Sequence, residues 1–214
     1  MASSPDPRVI RLVMDLRRRG IADARVLSAM ERVDRAAFMP AGLAHLAFAD
    51  QSAPIACGQT MCAPSLIARM SEALAVRPEH KVLEVGTGSG YHAAVLAKLS
   101  GAVFSIERWA ELHETAKARL EALKIFHVRL KCADGCEGWA EWAPFDRILI
   151  TAAVDAPPPA LVEQLVEGGV LVAPVGEGAD GRLVRFVKTA GQLTPHDAGP
   201  AHVPPLARGV TPVS

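Results

Sequence analysis

Glu84-Val85-Gly86-Thr87-Gly88-Ser89-Gly90 is the stretch on which the reading of this chain turns. It follows Lys81 to Val85, a short apolar run with strand character, and precedes Tyr91 to Leu99, which reads as a helix. Glycines at such a strand-to-helix turn let the backbone bend sharply and come close to a ligand, with a helix N-terminus beyond. Their spacing narrows the choice of ligand. A dinucleotide loop carries its third glycine three residues after the second, whereas Gly90 follows Gly88 by two. A phosphate-binding P-loop is excluded, because no Gly-Lys-Ser/Thr follows.

Outward from this loop, strands and helices alternate. Ala102 to Ile106 reads as a strand ending in Glu107, Trp109 to Leu123 as a helix, His127 to Cys132 and Phe145 to Ala153 as strands, and Pro158 to Glu167 as a helix stopped by Gly168-Gly169. Val170 to Val175 is a further strand, and the alternating Arg182 to Thr189 predicts an antiparallel one near the end. Apolar strands separated by helices predict an α/β, Rossmann-like, doubly wound fold whose mostly parallel sheet carries helices on both faces. An N-terminal helical segment precedes it. One helix runs from Pro7 to a stop at Gly20, a second opens at the N-cap Asp23 and ends before Pro40, and a third opens at Pro64. Pro40 to Ala63 lacks periodicity and is too apolar for a linker, which favours function. The expected organisation is a single domain over 1–214, with helices and a substrate-side loop in 1–78 and the cofactor-binding core in 79–214.

The 214 residues carry 23 Lys+Arg against 23 Asp+Glu, with half the chain apolar, which excludes a disordered tail and argues against a nucleic-acid partner. The one dense basic run, Arg17-Arg18-Arg19, reads as a helix C-terminus before Gly20. No apolar stretch approaches the ~20 residues of a membrane span, and Met1 to Pro7 lacks a leader pattern, so a cytoplasmic protein with no membrane partner is expected. Cys57, Cys62, Cys132 and Cys136 lack metal-ligand spacing and read as reduced thiols, with no metal.

Two acids complete the candidate site. Glu107, 21 residues after Gly86, ends the second strand, where a carboxylate can accept both hydroxyls of a ribose. Asp134-Gly135 follows the third strand, where a side chain and a neighbouring amide could read an adenine edge. Each also has a plainer reading: a turn for the loop, a helix start for Glu107, a cap for Asp134. Together the Glu-x-Gly-x-Gly-x-Gly motif and these acids resemble the cofactor site of class I methyltransferases. That resemblance implies S-adenosyl-L-methionine bound by Glu84, Gly86, Thr87, Gly88, Ser89, Gly90, Glu107, Asp134 and Gly135, with S-adenosyl-L-homocysteine as product.

Nearly the whole chain resembles one family, the protein-L-isoaspartate O-methyltransferases. The resemblance is carried by Gly20-Ile21-x-Asp23, Val33-x-Arg35, Phe48-x-Asp50, Pro54-Ile55, Gly58-Gln59-Thr60, Ser105-Ile106-Glu107-Arg108, Ala143-Pro144-Phe145-Asp146 and Thr151-Ala152-Ala153. It implies methyl transfer to the α-carboxylate of isoaspartyl residues in damaged proteins, a repair reaction. A carboxylate is ionised at pH 7, so no general base is needed. Gln59, Thr60 and Cys62 would face the methyl acceptor, with Ile55, Ala56, Gly58 and His202 on the substrate side. Cys62 stands where the family has a serine, and a thiol is the weaker hydrogen-bond donor. Two alternatives stay open: a methyltransferase with another acceptor, or a catalytically weak cofactor-binding paralogue. The expected partners are isoaspartyl proteins or peptides, and the expected state is a monomer.

Overall fold

The computed structural model describes residues 6–176 and 178–211. The first five residues, part of the segment searched for a leader, lie outside it. Strands β3 (Lys81–Val85), β4 (Ala102–Glu107), β5 (Val128–Cys132), β6 (Phe145–Ile150), β7 (Leu165–Val175), β8 (Arg182–Thr189) and β9 (Gln192–Pro200) form one sheet in the order β5-β4-β3-β6-β7-β8-β9. The first five in space are parallel, and β8 and β9 are antiparallel. After β3 the chain proceeds outward through β4 and β5, then returns to lay β6 on the other side of β3. That reversal between β3 and β6 opens a crevice beyond the strands' carboxyl ends, the place where ligands bind in open α/β sheets.

The period-two alternation of strands assigns side chains to faces. Val82, Val103, Leu149, Val170, Val172 and Leu183 pack on one face. They lie under α1 (Pro7–Arg18), α2 (Ala24–Arg32), α3 (Pro64–Leu74), α4 (Tyr91–Leu96) and the C-terminal half of α5 (Ala110–Ala122). Leu83, Val85, Phe104, Ile106, Ile148 and Leu171 pack on the other, under α6 (Pro159–Glu163) and the segment of two short 3-10 turns, Gly135–Glu137 and Ala140–Trp142, with Trp139 between them.

The local signals act as their chemistry dictates. Asp6 and Asp23 cap α1 and α2 by accepting from the amides of Arg8 and Arg25. Pro7 and Pro64 occupy first-turn positions, and Arg17 and Arg18 fill the last turn of α1. Some expected boundaries differ from the structure. The helix expected over Pro158 to Glu167 stops at Glu163, because the backbone of Gln164 and Leu165 is taken by Phe145. Strand β7 therefore starts at Leu165, and Gly168-Gly169 lies in a bulge where Phe145 to Arg147 opposes Leu165 to Val170. Strand β9 lies beyond the last stretch assigned from the sequence; it pairs at the sheet edge, where its Pro195 is tolerated. The stretch Pro40 to Ala63 is not structureless either. It holds a 3-10 helix, Ala41–Phe48, and a small antiparallel hairpin of β1 (Ala53–Pro54) and β2 (Thr60–Met61).

Candidate active site

The crevice between β3 and β6 is a cleft of about 340 Å³. Its first wall is Gly86, Thr87, Gly88 and Ser89, then Ile106 to Trp109, Leu112 and Gly135. Its second wall is the β1–β2 hairpin, through Ile55, Gln59, Thr60, Met61 and Cys62. Thr151 and Ala152 at the end of β6 and Pro204 to Ala207 of the tail close the third side.

The first wall is held by backbone. The amides of Gly86 and Thr87 both donate to the Ile106 carbonyl, at 2.8 and 3.2 Å, so the loop continues the β3–β4 pairing. The Gly86 residue has a φ of +96°, and a Cβ there would meet Thr151 Oγ1 at 2.2 Å. Thr151 fills that space by donating to the carbonyls of Val85 and Gly86. Glycine at 86 is therefore demanded twice, by conformation and by the neighbouring strand. A Cβ on Gly135 would meet Val85 Cγ1 at 2.3 Å, so the chain can pass over the end of β3 only without a side chain.

Glu107 is 4% exposed at the end of β4 and accepts from the amides of Gly88 (2.8 Å) and Trp109 (3.0 Å). It faces the cleft, and each oxygen retains a further lone pair for a diol. Thr87 Oγ1 is 2.6 Å from Ser105 Oγ, which in turn donates to Glu84 Oε2. Ser89 Oγ donates to Met61 Sδ at 3.2 Å and so links the two walls.

Three residues expected at the cofactor do not line the cleft. Glu84 is fully buried beneath the loop, with one oxygen partnered by Ser105 and the other without a partner among the described residues. Burial pushes its carboxyl up to about 8, opposed by the Ser105 hydrogen bond and reinforced by Glu107, so it is mostly protonated at neutral pH. Gly90 caps α4 and packs toward Phe38 and Ala116. Asp134 uses one oxygen to cap the 3-10 turn at Cys136 and the other to hold the Gly209 amide at 2.7 Å. Burial pushes the Asp134 carboxyl up, but those amides prevail and hold it below the usual value.

On the second wall, Ile55, Gln59, Thr60 and Cys62 line the cleft, while Ala56 and Gly58 are exposed at the hairpin's turn and do not. Gly58 there has a φ of +65°. Gln59 braces the turn, its amide donating to Ala56 and its Nε2 to Cys57. Burial pushes the Cys62 thiol up to about 11 against the pull of Arg35, so it is neutral at physiological pH. His202 is exposed with its ring on the Gly178 carbonyl, outside the cleft. The residues that line the cleft from that part of the chain are Pro204 to Ala207, fixed by bonds between Ala153 and both Pro204 and Leu206.

Thr151, Trp109 and His92 also line the cleft and were not expected there. Trp109 could have been suspected as an aromatic two residues past the strand-end acid. His92 is buried against Ser71 Oγ at 2.9 Å, and burial pulls its pKa down to about 3, so it is neutral. No set of three His, Cys, Asp or Glu among the described residues is arranged to hold a metal.

A switch-point cleft under a glycine loop whose third glycine follows the second by two residues, with a carboxylate ending the next strand, is the arrangement of a class I methyltransferase. The protein-L-isoaspartate(D-aspartate) O-methyltransferase (PCMT) family model matches residues 8–208, and the chain belongs to that family. A protein-L-isoaspartate O-methyltransferase of Methylorubrum populi is 51% identical over 193 residues, covering 90% of this chain and 91% of its own length. That of Paramagnetospirillum magneticum is 46% identical, covering 96% and 97%. A crystal structure from Plasmodium falciparum, described as a beta-aspartate methyltransferase (PCMT) in complex with S-adenosyl-L-homocysteine, superposes with a TM-score of 0.81 at 25% identity, covering 92% of this chain and 97% of that one.

Proposed function

We propose that the protein transfers a methyl group from S-adenosyl-L-methionine to the α-carboxylate of L-isoaspartyl residues in damaged proteins, releasing S-adenosyl-L-homocysteine. The resulting ester can close to a succinimide and reopen as aspartate, which makes the reaction a repair. The observation that carries this reading is that the glycine loop with Glu107 and the hairpin with Gln59, Thr60 and Cys62 line one and the same cleft.

The residues present fit the cofactor. Gly86 to Ser89 and Gly135 offer backbone without side chains in the way, Glu107 offers a desolvated carboxylate for the ribose diol, and Ile106, Trp109 and Leu112 offer apolar surface for a purine. When bound, the sulfonium supplies an electrophilic methyl group. The protein's remaining tasks are orientation and exclusion of water. Ile55 and the hairpin cover the cleft, and Thr60, Gln59 and the neutral Cys62 thiol are the groups available to hold the acceptor carboxylate. A neutral thiol does not repel that carboxylate, as a thiolate would, but it donates only a weak hydrogen bond.

The direct test is transfer of labelled methyl groups to an isoaspartyl peptide and to its aspartyl twin. Equal labelling of the two would remove the proposed substrate. A single-domain, monomeric and cytoplasmic protein acting on isoaspartyl proteins completes the reading. The shared sheet behind both cores supports one domain, and no helix among the described residues is long and apolar enough to cross a membrane. Sedimentation at assay concentration reads the oligomeric state.

A further inference from the structure

Arg35 lies in a short 3-10 helix, Arg35–Phe38, and is 3% exposed. No carboxylate pairs with it among the described residues, since nearby Asp50 is engaged by Arg19 at 3.3 Å and by the Ser65 amide at 2.8 Å. Its guanidinium instead donates to five backbone carbonyls. Nη1 reaches Leu46 (3.3 Å), Ala47 (3.0 Å) and Ala49 (3.5 Å), and Nη2 reaches Gln51 (3.1 Å) and Cys62 (3.3 Å).

Gln51 lies two residues before the β1–β2 hairpin and Cys62 directly after it. Two residues of ladder per strand cannot fix that hairpin by themselves, because a short isolated pair is marginal in water. One nitrogen of Arg35 bridges both of its ends. We propose that Arg35 is the positioning residue of the acceptor side: its planar fork clamps the base of the hairpin and thereby sets where Gln59, Thr60 and Cys62 stand in the cleft. This rests on the methyl-acceptor reading of the hairpin given above. A guanidinium suits the task because it is weakly hydrated, always charged and presents donors in fixed directions, whereas an ammonium is a compact point charge that cannot span two separated groups of carbonyls.

The test compares wild type with Arg35→Lys and Arg35→Met. Amide hydrogen exchange over residues 51–62 should accelerate about tenfold or more in both variants, while exchange in residues 81–107 stays at the wild-type rate. Affinity for S-adenosyl-L-homocysteine by calorimetry should stay within about threefold, and KM for an isoaspartyl peptide should rise about tenfold or more. The lysine variant should not rescue either effect. Unchanged exchange over 51–62, rescue by lysine, or an equal loss of cofactor affinity would overturn the proposal. So would failure of both variants to fold, which would make Arg35 a support of the whole domain. If wild type shows no preference for the isoaspartyl peptide, the substrate reading fails, yet exchange and calorimetry still decide the role of Arg35.

Discussion

The two walls of the cleft are built by different means. The cofactor wall is an extension of the sheet: Gly86 and Thr87 hang from Ile106, Glu107 holds Gly88, and Thr151 on the neighbouring strand fills the space beside Gly86. The acceptor wall stands apart from that sheet as a hairpin with two residues per strand, tied by side chains: Arg35 at its base, Ser89 to Met61 along its flank, and Cys57 toward Glu111 near its turn. A wall made of ladder hydrogen bonds inherits the stiffness of seven strands. A wall held by the burial of Ala53 and Met61 and by a few side-chain bonds depends more on each of them, each bond contributing about 1 kcal/mol and up to about 3 where the donor is charged. Single substitutions should therefore damage the cofactor wall through sterics and tune the acceptor wall through hydrogen bonding.

The largest expected effect comes from Gly86→Val. The branched side chain meets Thr151 and the positive φ excludes it, so calorimetry should show cofactor affinity reduced about 100-fold or more. Retained affinity would mean that the loop is not held as rigidly as its neighbours suggest. Next is Glu107→Ala, which removes a nearly buried carboxylate facing the cleft. Affinity for S-adenosyl-L-homocysteine should fall about 10- to 100-fold, the range for hydrogen bonds to a charged group. A variant that loses peptide KM while keeping cofactor affinity would reverse the assignment of the walls.

Smaller is Cys62→Ser, which puts a hydroxyl where a neutral thiol stands. Turnover of the isoaspartyl peptide should rise about three- to tenfold with cofactor affinity unchanged, since only acceptor alignment gains a stronger donor. A drop in cofactor affinity would place residue 62 on the other wall. The last prediction concerns stability and not the cleft's ligands. Glu84 in the folded state holds a proton up to about pH 8, whereas the unfolded chain releases it near 4.5. Its stabilisation is therefore full below 4.5 and is lost as pH rises toward 8. Between pH 5 and pH 8.5, wild type should lose about 5 °C or more of Tm relative to Glu84→Gln. Parallel melting curves would show that Glu84 is ionised in the folded protein and belongs to the cleft after all.

Glu84 and Asp134 show how far residue patterns reach. Both stand in the right register beside the glycine loop, so the sequence marks them for the cofactor. Glu84 and Glu107 share the face that holds Val82 and Val103, but Glu107 ends its strand at the cleft whereas Glu84 stops one residue short of its strand's end, beneath the loop and bonded to Ser105. Asp134 takes the plainest reading available to an Asp before a turn, capping it, and adds the Gly209 amide from a distant part of the chain. His202 likewise lies outside the cleft: the tail reaches it two residues later, where Ala153 pairs with Pro204 and Leu206. Arg35 was visible only as part of a motif, because nothing in its sequence neighbourhood reveals that its partners are five carbonyls between residues 46 and 62.

The sequence by itself determined the alternation of strands and helices, the glycine loop with its spacing, the acid ending the second strand and the family resemblance. These are local patterns, written in neighbouring residues and in the periods of strand and helix. The tertiary structure alone decided the strand reversal that opens the crevice, the bulge that lengthens β7, the edge strand β9, and which side chains of a matching motif face the cleft. Those depend on contacts between residues far apart in the chain, where backbone groups are satisfied by partners that no local pattern names.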